Sequence, residues 1–152
     1  VDEKVKSLPL FGISKKIYKG EIFPPESDDF VSDDNLFNYQ AKIIKEVAAE
    51  ESCVIIGRCA DFILKDNPDV VRLFFYAPKE ECIARVKTQN GGTEKEIIRK
   101  IEKTDKYRSD YYRYHTGKDW NDSRNYDFCL NTASMSYEKL VAVVKAYIEQ
   151  YK

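Results

Sequence analysis

Cys53-Val54-Ile55-Ile56-Gly57-Arg58-Cys59-Ala60-Asp61 is the stretch whose reading decides the fold. A short β-branched apolar run ends in Gly-Arg, and a helical pattern, Asp61-Phe62-Ile63-Leu64, follows at once. Such a run reads as a buried strand that delivers an arginine to its carboxyl end. In open α/β sheets that end is where ligands bind. Gly57 lets the backbone turn close to a ligand, and Arg58 offers a planar fork suited to phosphate or carboxylate. The competing reading is a strand-end arginine paired with a surface carboxylate. These nine residues alone leave both readings open.

Working outward, a helix is expected from about Asn35, capped by Asp33-Asp34, with Leu36, Gln40, Ile43 and Val47 on one face and Phe37, Ala41, Ile44 and Ala48 widening it. A second strand is expected over Val70–Tyr76, apolar on both faces and hence central. Pro78 suits the start of the next helix, which stops at Asn90-Gly91-Gly92. Thr93-Glu94-Lys95-Glu96 is a capping box for a long helix, and Gly117 suits the position after its end. Tyr126–Asn131 reads as a third strand, and a last helix follows from Tyr137 with Leu140, Val144, Tyr147 and Tyr151 on one stripe. Strands alternating with helices imply parallel pairing through right-handed crossovers. Residues 1–33 carry Pro and Gly breaks and read as an irregular or mobile region.

The long helix changes character along its length. Ile98, Ile101, Asp105, Arg108 and Tyr112 share one narrow face that begins apolar and ends charged and aromatic. That face suits a helix leaving the core to overhang a polar cleft, with Arg108 pointing at its contents and Asp105 orienting it. The plainer reading is an Asp105–Arg108 pair within the helix. Arg99, Lys103, Lys106 and Arg113 form a basic face on the other side. With Tyr107, Tyr111, Tyr114 and Trp120 nearby, this basic aromatic stretch could bind single-stranded nucleic acid by stacking. Interspersed Asp and Glu residues dilute the charge and argue against that use.

Composition narrows the field. The chain has 152 residues, enough for one domain with a real core. Its hydrophobic content of 43% and net charge of -1 are those of a soluble globular protein with no bulk attraction for nucleic acid or anionic membrane. No apolar run reaches the roughly 20 residues of a membrane span, so a cytoplasmic location is expected. Cys53, Cys59, Cys82 and Cys129 form no Cys-x-x-Cys pair, and His115 stands alone, so packing rather than zinc binding is expected of them.

With these pieces placed, the chain resembles the cytidylate-kinase-like family of P-loop nucleoside monophosphate kinases. The resemblance rests on the order of four segments: Val54–Asp61, Val71–Ala77, Lys103–Tyr112 and Asn125–Thr132. It implies a single α/β domain, a three-layer parallel sheet with flanking helices, in which residues 94–125 form a lid-like helix and loop. It implies transfer of the γ-phosphoryl group of ATP to CMP, dCMP or a related nucleotide, with Mg²⁺. On that resemblance Arg58, with Gly57 and Asp61, holds the acceptor's phosphate. Arg108 is a lid arginine assisted by Asp105, and Asn131-Thr132-Ala133-Ser134 lies near the donor adenine. Oligomeric state is left open. The pattern departs from the family in three ways. No G-x-x-x-x-G-K-[ST] occurs, so the family's first strand, phosphate loop and first helix are expected upstream of Val1, and the chain alone is expected to be inactive. Ile56 stands where an Asp precedes Gly-Arg, and Ile101 and Lys106 stand where further lid arginines are expected. A non-catalytic nucleotide-binding or regulatory module is the alternative.

Overall fold

The computed structural model describes residues 20–28 and 31–151. Residues 1–19 of the irregular region lie outside that description. The described residues form helices α1 (Asp33–Glu50), α2 (Ala60–Ile63), α3 (Lys79–Asn90), α4 (Glu94–Thr116) and α5 (Tyr137–Tyr151), with strands β1 (Leu73–Tyr76) and β2 (Phe128–Asn131). This is an α/β arrangement with a small parallel sheet. β1 pairs with β2 from Leu73↔Phe128 to Tyr76↔Asn131. A parallel pair needs a long crossover, and α3 and α4 supply it.

The ends of the elements follow local chemistry. Thr93 and Glu96 exchange hydrogen bonds in the expected capping box, and Gly117 closes α4 in the left-handed region at φ 71°. α1 is capped by Ser32, whose hydroxyl accepts from the Asn35 N–H, and not by Asp33-Asp34. Those two carboxylates instead occupy the first turn, where they complement the helix dipole. α1 buries Phe37, Ala41 and Ile44, whereas Leu36 and Ile43 face outward. The apolar face is thus narrower than the sequence suggests.

The core lies between α1, the turn leading into α2, and α4. Phe37, Ala41, Ile44, Cys59, Ala60, Ile63, Leu64 and Tyr112 are its buried members. Phe37 is 2% exposed, and burial of a side chain that size stabilises the fold by about 2–3 kcal/mol. Two buried asparagines tie residues 20–28 to α1. The Asn35 side chain accepts from Phe23 N–H at 2.8 Å and donates to Phe23 O at 3.2 Å, and Asn38 donates to Glu21 O.

The opening stretch corrects the sequence reading. Residues 52–56 form no strand. Only Ile55 packs against the core; Cys53 is exposed, and Val54 and Ile56 are 92% and 89% exposed. A strand is made by its ladder, and among the described residues no neighbour supplies one here. β1 is also shorter than expected and is not central. Phe75 and Tyr76 are about half exposed, since among the described residues β1 is paired on one edge alone.

The start of the sheet is held by an ion pair. Arg72 Nε and Nη2 donate to Asp127 Oδ2 and Oδ1 at 3.0 and 2.6 Å, and the Arg72 N–H donates to Oδ2 at 2.8 Å. The guanidinium holds the Asp127 carboxyl below the usual carboxylate range. Such a charge-assisted fork ties β1 to β2 across 55 residues of sequence. Asp127→Ala is expected to lower unfolding free energy by about 2 kcal/mol in urea titrations, the cost of orphaning a partly buried guanidinium and an N–H. Arg72→Lys keeps the charge but loses the fork, and is expected to recover less than half the difference.

Candidate phosphate-binding site

Gly57, Arg58 and Cys59 form a turn with three consecutive positive φ angles, 71°, 55° and 56°. A glycine enters that region freely, but Arg and Cys do so at a cost of about 1–2 kcal/mol each. The turn is locked by Ala60 N–H donating to Gly57 O and by Ile63 N–H donating to Cys59 O, which starts α2. Cys59 is buried beneath it, and burial pushes its thiol up to about 12, so it is an inert packing group. The strained backbone turns Arg58 outward.

The Arg58 guanidinium lies beside the Tyr111 phenol of α4, where it works against the burial that raises that hydroxyl's pKa. No carboxylate among the described residues pairs with it. Tyr111 is itself braced by ring contacts with Phe37 at 6.0 Å and His115 at 4.6 Å. Burial raises its hydroxyl to about 12, so it stays neutral at ordinary pH. The next residue on α4, Tyr112, donates to Asp61 Oδ2 at 2.6 Å. Burial raises the Asp61 carboxyl, and the Tyr112 hydrogen bond partly offsets this. α4 therefore sets Tyr111 beside Arg58 and binds Asp61 through the next residue, Tyr112.

Arg108 lies one turn earlier on the same helix. Its guanidinium pairs with Asp105 and sits 4.6 Å from the Trp120 ring centroid. Trp120 packs edge-on against Phe74 of β1 at 5.4 Å. The Asp105–Arg108 pair read from the sequence is thus formed, and the pair is about half exposed. Of the basic face on the other side, Lys106 pairs with Asp110 and Arg113 with Asp119.

The loop Asn131–Ser134 follows β2 at the carboxyl end of the sheet. Asn131 Oδ1 accepts from Ala133 N–H at 2.9 Å, and Thr132 N–H donates to Tyr76 O at 2.8 Å. No hydrogen bond, ion pair or ring contact joins this loop to Arg58, Asp61 or Arg108 among the described residues. Sequence reading singled out Arg58, Asp61 and Arg108 but assigned no partner to the first two. Their tyrosine partners were visible only as members of an aromatic-rich helix. Arg85, which reaches Thr132, carried no signal at all.

Among the described residues no three His, Cys, Asp or Glu side chains gather to hold a metal, Asp61 is engaged by Tyr112, and Asp105 by Arg108. No helix among them is long and apolar enough to cross a membrane.

The small parallel sheet and its helices agree with an α/β kinase-like fold. The chain belongs to the cytidylate kinase-like family, whose model matches residues 2–134. It is 34% identical over 104 residues to a cytidylate kinase from Pyrococcus horikoshii, covering 68% of this chain and 53% of that protein. A uronate isomerase from Corynebacterium glutamicum is 30% identical over 109 residues, covering 68% of this chain but 20% of the relative. The chain thus spans about half the length of the archaeal kinase and a fifth of the isomerase. A solved structure of an uncharacterized protein from Eubacterium ventriosum superposes with a TM-score of 0.72 at 32% identity, covering 80% of this chain and 77% of that one.

Proposed function

We propose that this chain carries the acceptor and lid side of a nucleoside monophosphate kinase that transfers the γ-phosphoryl group of ATP to CMP, dCMP or a related nucleotide. The observation that carries the reading is Arg58: an exposed guanidinium on a strained turn, beside a phenol and paired with no carboxylate among the described residues. A strained residue persists where its surroundings enforce it, and such residues cluster at binding sites. A cation beside a neutral phenol keeps its full charge for an incoming phosphate. In this reading Gly57 and Arg58 bind the acceptor phosphate, and Asp61 shapes that pocket. Arg108 leaves Asp105 and Trp120 to close on the transferring group. The bond from the γ-phosphorus to the ADP oxygen breaks as one to the acceptor's phosphate oxygen forms. Positioning and charge neutralisation are the protein's share of this chemistry. Asn131–Ser134 receives the donor base.

The frame is proposed to be three-layered. Trp120 and Tyr126 cover Phe74 on one face of the sheet, and Tyr147 of α5 stacks on Phe128 at 4.6 Å on the other. The four cysteines are unpaired, in keeping with a reducing cytoplasmic setting.

The test is ADP production by the intact protein with CMP, dCMP, UMP and AMP. Absence of turnover with all four defeats the reading, and binding without turnover supports a regulatory module. Arg108→Ala is expected to lower turnover about tenfold or more while changing stability by less than about 1 kcal/mol, since an exposed pair contributes little. Parallel loss of both would reduce Arg108 to a structural residue.

A further inference from the structure

Arg85 makes a contact that the roles above do not use. Its Nη1 donates to the Thr132 hydroxyl at 3.0 Å, and its Nη2 donates to the Thr132 carbonyl at 2.6 Å. The same hydroxyl donates onward to Tyr76 O at 3.2 Å. One guanidinium of α3 therefore grips a main-chain and a side-chain oxygen of the loop after β2. Thr132 is buried, so these oxygens have little access to water once the fork is removed.

The loop is held from both sides. Asn131 turns its side-chain oxygen back onto Ala133, and the Thr132 hydroxyl and carbonyl face Arg85. These side-chain oxygens fold the loop and so set the course of its main chain. The direction of main-chain groups is set by backbone geometry, and here Arg85 sets that geometry. α3 is in turn tied to α4 by Lys79 Nζ and Glu102 Oε1 at 2.7 Å. The grip thus runs from the helix bearing Arg108, through α3, to the loop.

We infer that Arg85 is a positioning residue that fixes the Asn131–Ser134 loop for the donor base and so sets donor selectivity. The inference rests on the kinase reading. A planar fork satisfies both Thr132 oxygens at once, and a lysine reaches one at a time.

The experiment compares the intact protein with Arg85→Met and Arg85→Lys, using ATP, GTP and CTP as donors and the best wild-type acceptor at saturation. Amide hydrogen exchange and thermal melting accompany the kinetics. Arg85→Met is expected to raise KM for ATP about tenfold, the loss of a charge-assisted hydrogen-bonded grip, with kcat and acceptor KM nearly unchanged. The preference for ATP over GTP and CTP narrows, and exchange quickens at Thr132–Ser134 alone. Arg85→Lys recovers less than half the change in KM, and it alone decides the matter if the methionine variant does not fold. Unchanged donor KM and preference would overturn the inference, as would kcat and both KM values worsening in step with the melting temperature. An inactive wild type defeats the kinase reading and the donor role together. An active wild type whose variants keep its donor profile defeats the Arg85 role alone.

Discussion

Arg58→Gly is expected to separate function from stability. The variant should lose about 100-fold in kcat/KM for the nucleotide acceptor, the usual effect of removing one preorganised charge stabiliser. Its folding stability should stay within about 1 kcal/mol of wild type, because two effects oppose. Relief of a left-handed arginine, φ 55°, favours the variant, and the greater freedom of glycine in the unfolded chain disfavours it. The arginine adds no carboxylate pair among the described residues to offset that strain. Acceptor kinetics and urea titrations on the same preparations check both halves. Wild-type kinetics in the variant would remove Arg58 from the site, and a large loss of stability would make it a structural clamp. Arg58→Lys keeps the charge without the fork and should fall between.

Acid should loosen the fold through His115. The imidazole is 4% exposed and stacks on Phe37 at 3.8 Å with rings 6° apart. Burial lowers its pKa from 6.5 to about 4, with Asp34 and Asp33 opposing. Above pH 6.5 the ring is neutral in both folded and unfolded chains, and it contributes no slope. Between 6.5 and 4 the unfolded chain binds a proton that the folded chain resists, so stability falls as pH falls. At 1.36 kcal/mol per unit the loss reaches about 3 kcal/mol at pH 4. Asp61 acts in the opposite sense, since its raised pKa makes the folded state the better proton binder at low pH. His115→Phe keeps the stack, removes the titration and isolates the effect. Its unfolding free energy should lack the His115 slope in urea titrations at pH 7, 5.5 and 4. An unchanged slope would move the acid sensitivity elsewhere. His115 also packs against Tyr111, so the activity of the folded protein should fall only near pH 4, where the folded-state imidazole itself takes up its proton.

Much of the frame was legible because it depends on neighbours in sequence. The capping box at Thr93 and Glu96, the glycine stop at Gly117 and the shared face of Asp105, Arg108 and Tyr112 involve residues within one or two turns of each other. The Ser32 cap was missed because Asp33 and Asp34 offer the same chemistry one residue on. Cys53–Ile56 misled for a different reason. β-branched residues favour extended backbone, but a strand exists only where another strand completes its hydrogen bonds. The buried face of α1 was over-read because periodicity marks apolar positions without showing which have partners.

By itself the sequence determined where helices begin and end, that the chain alternates helix with extended segments, and that Gly57-Arg58 and Arg108 were the residues to watch. These are matters of dihedral preference, capping and periodicity, which act over a few residues. Only the tertiary structure decided what those residues touch. It set Arg58 beside Tyr111 and bonded Asp61 to Tyr112, Arg72 to Asp127 and Arg85 to Thr132, pairs separated by roughly 50 residues each. Such contacts depend on the path of the whole backbone, and no local preference encodes them. The same packing bears on the strain at Gly57-Arg58-Cys59, where Cys59, buried in the core, keeps a positive φ against its ordinary preference.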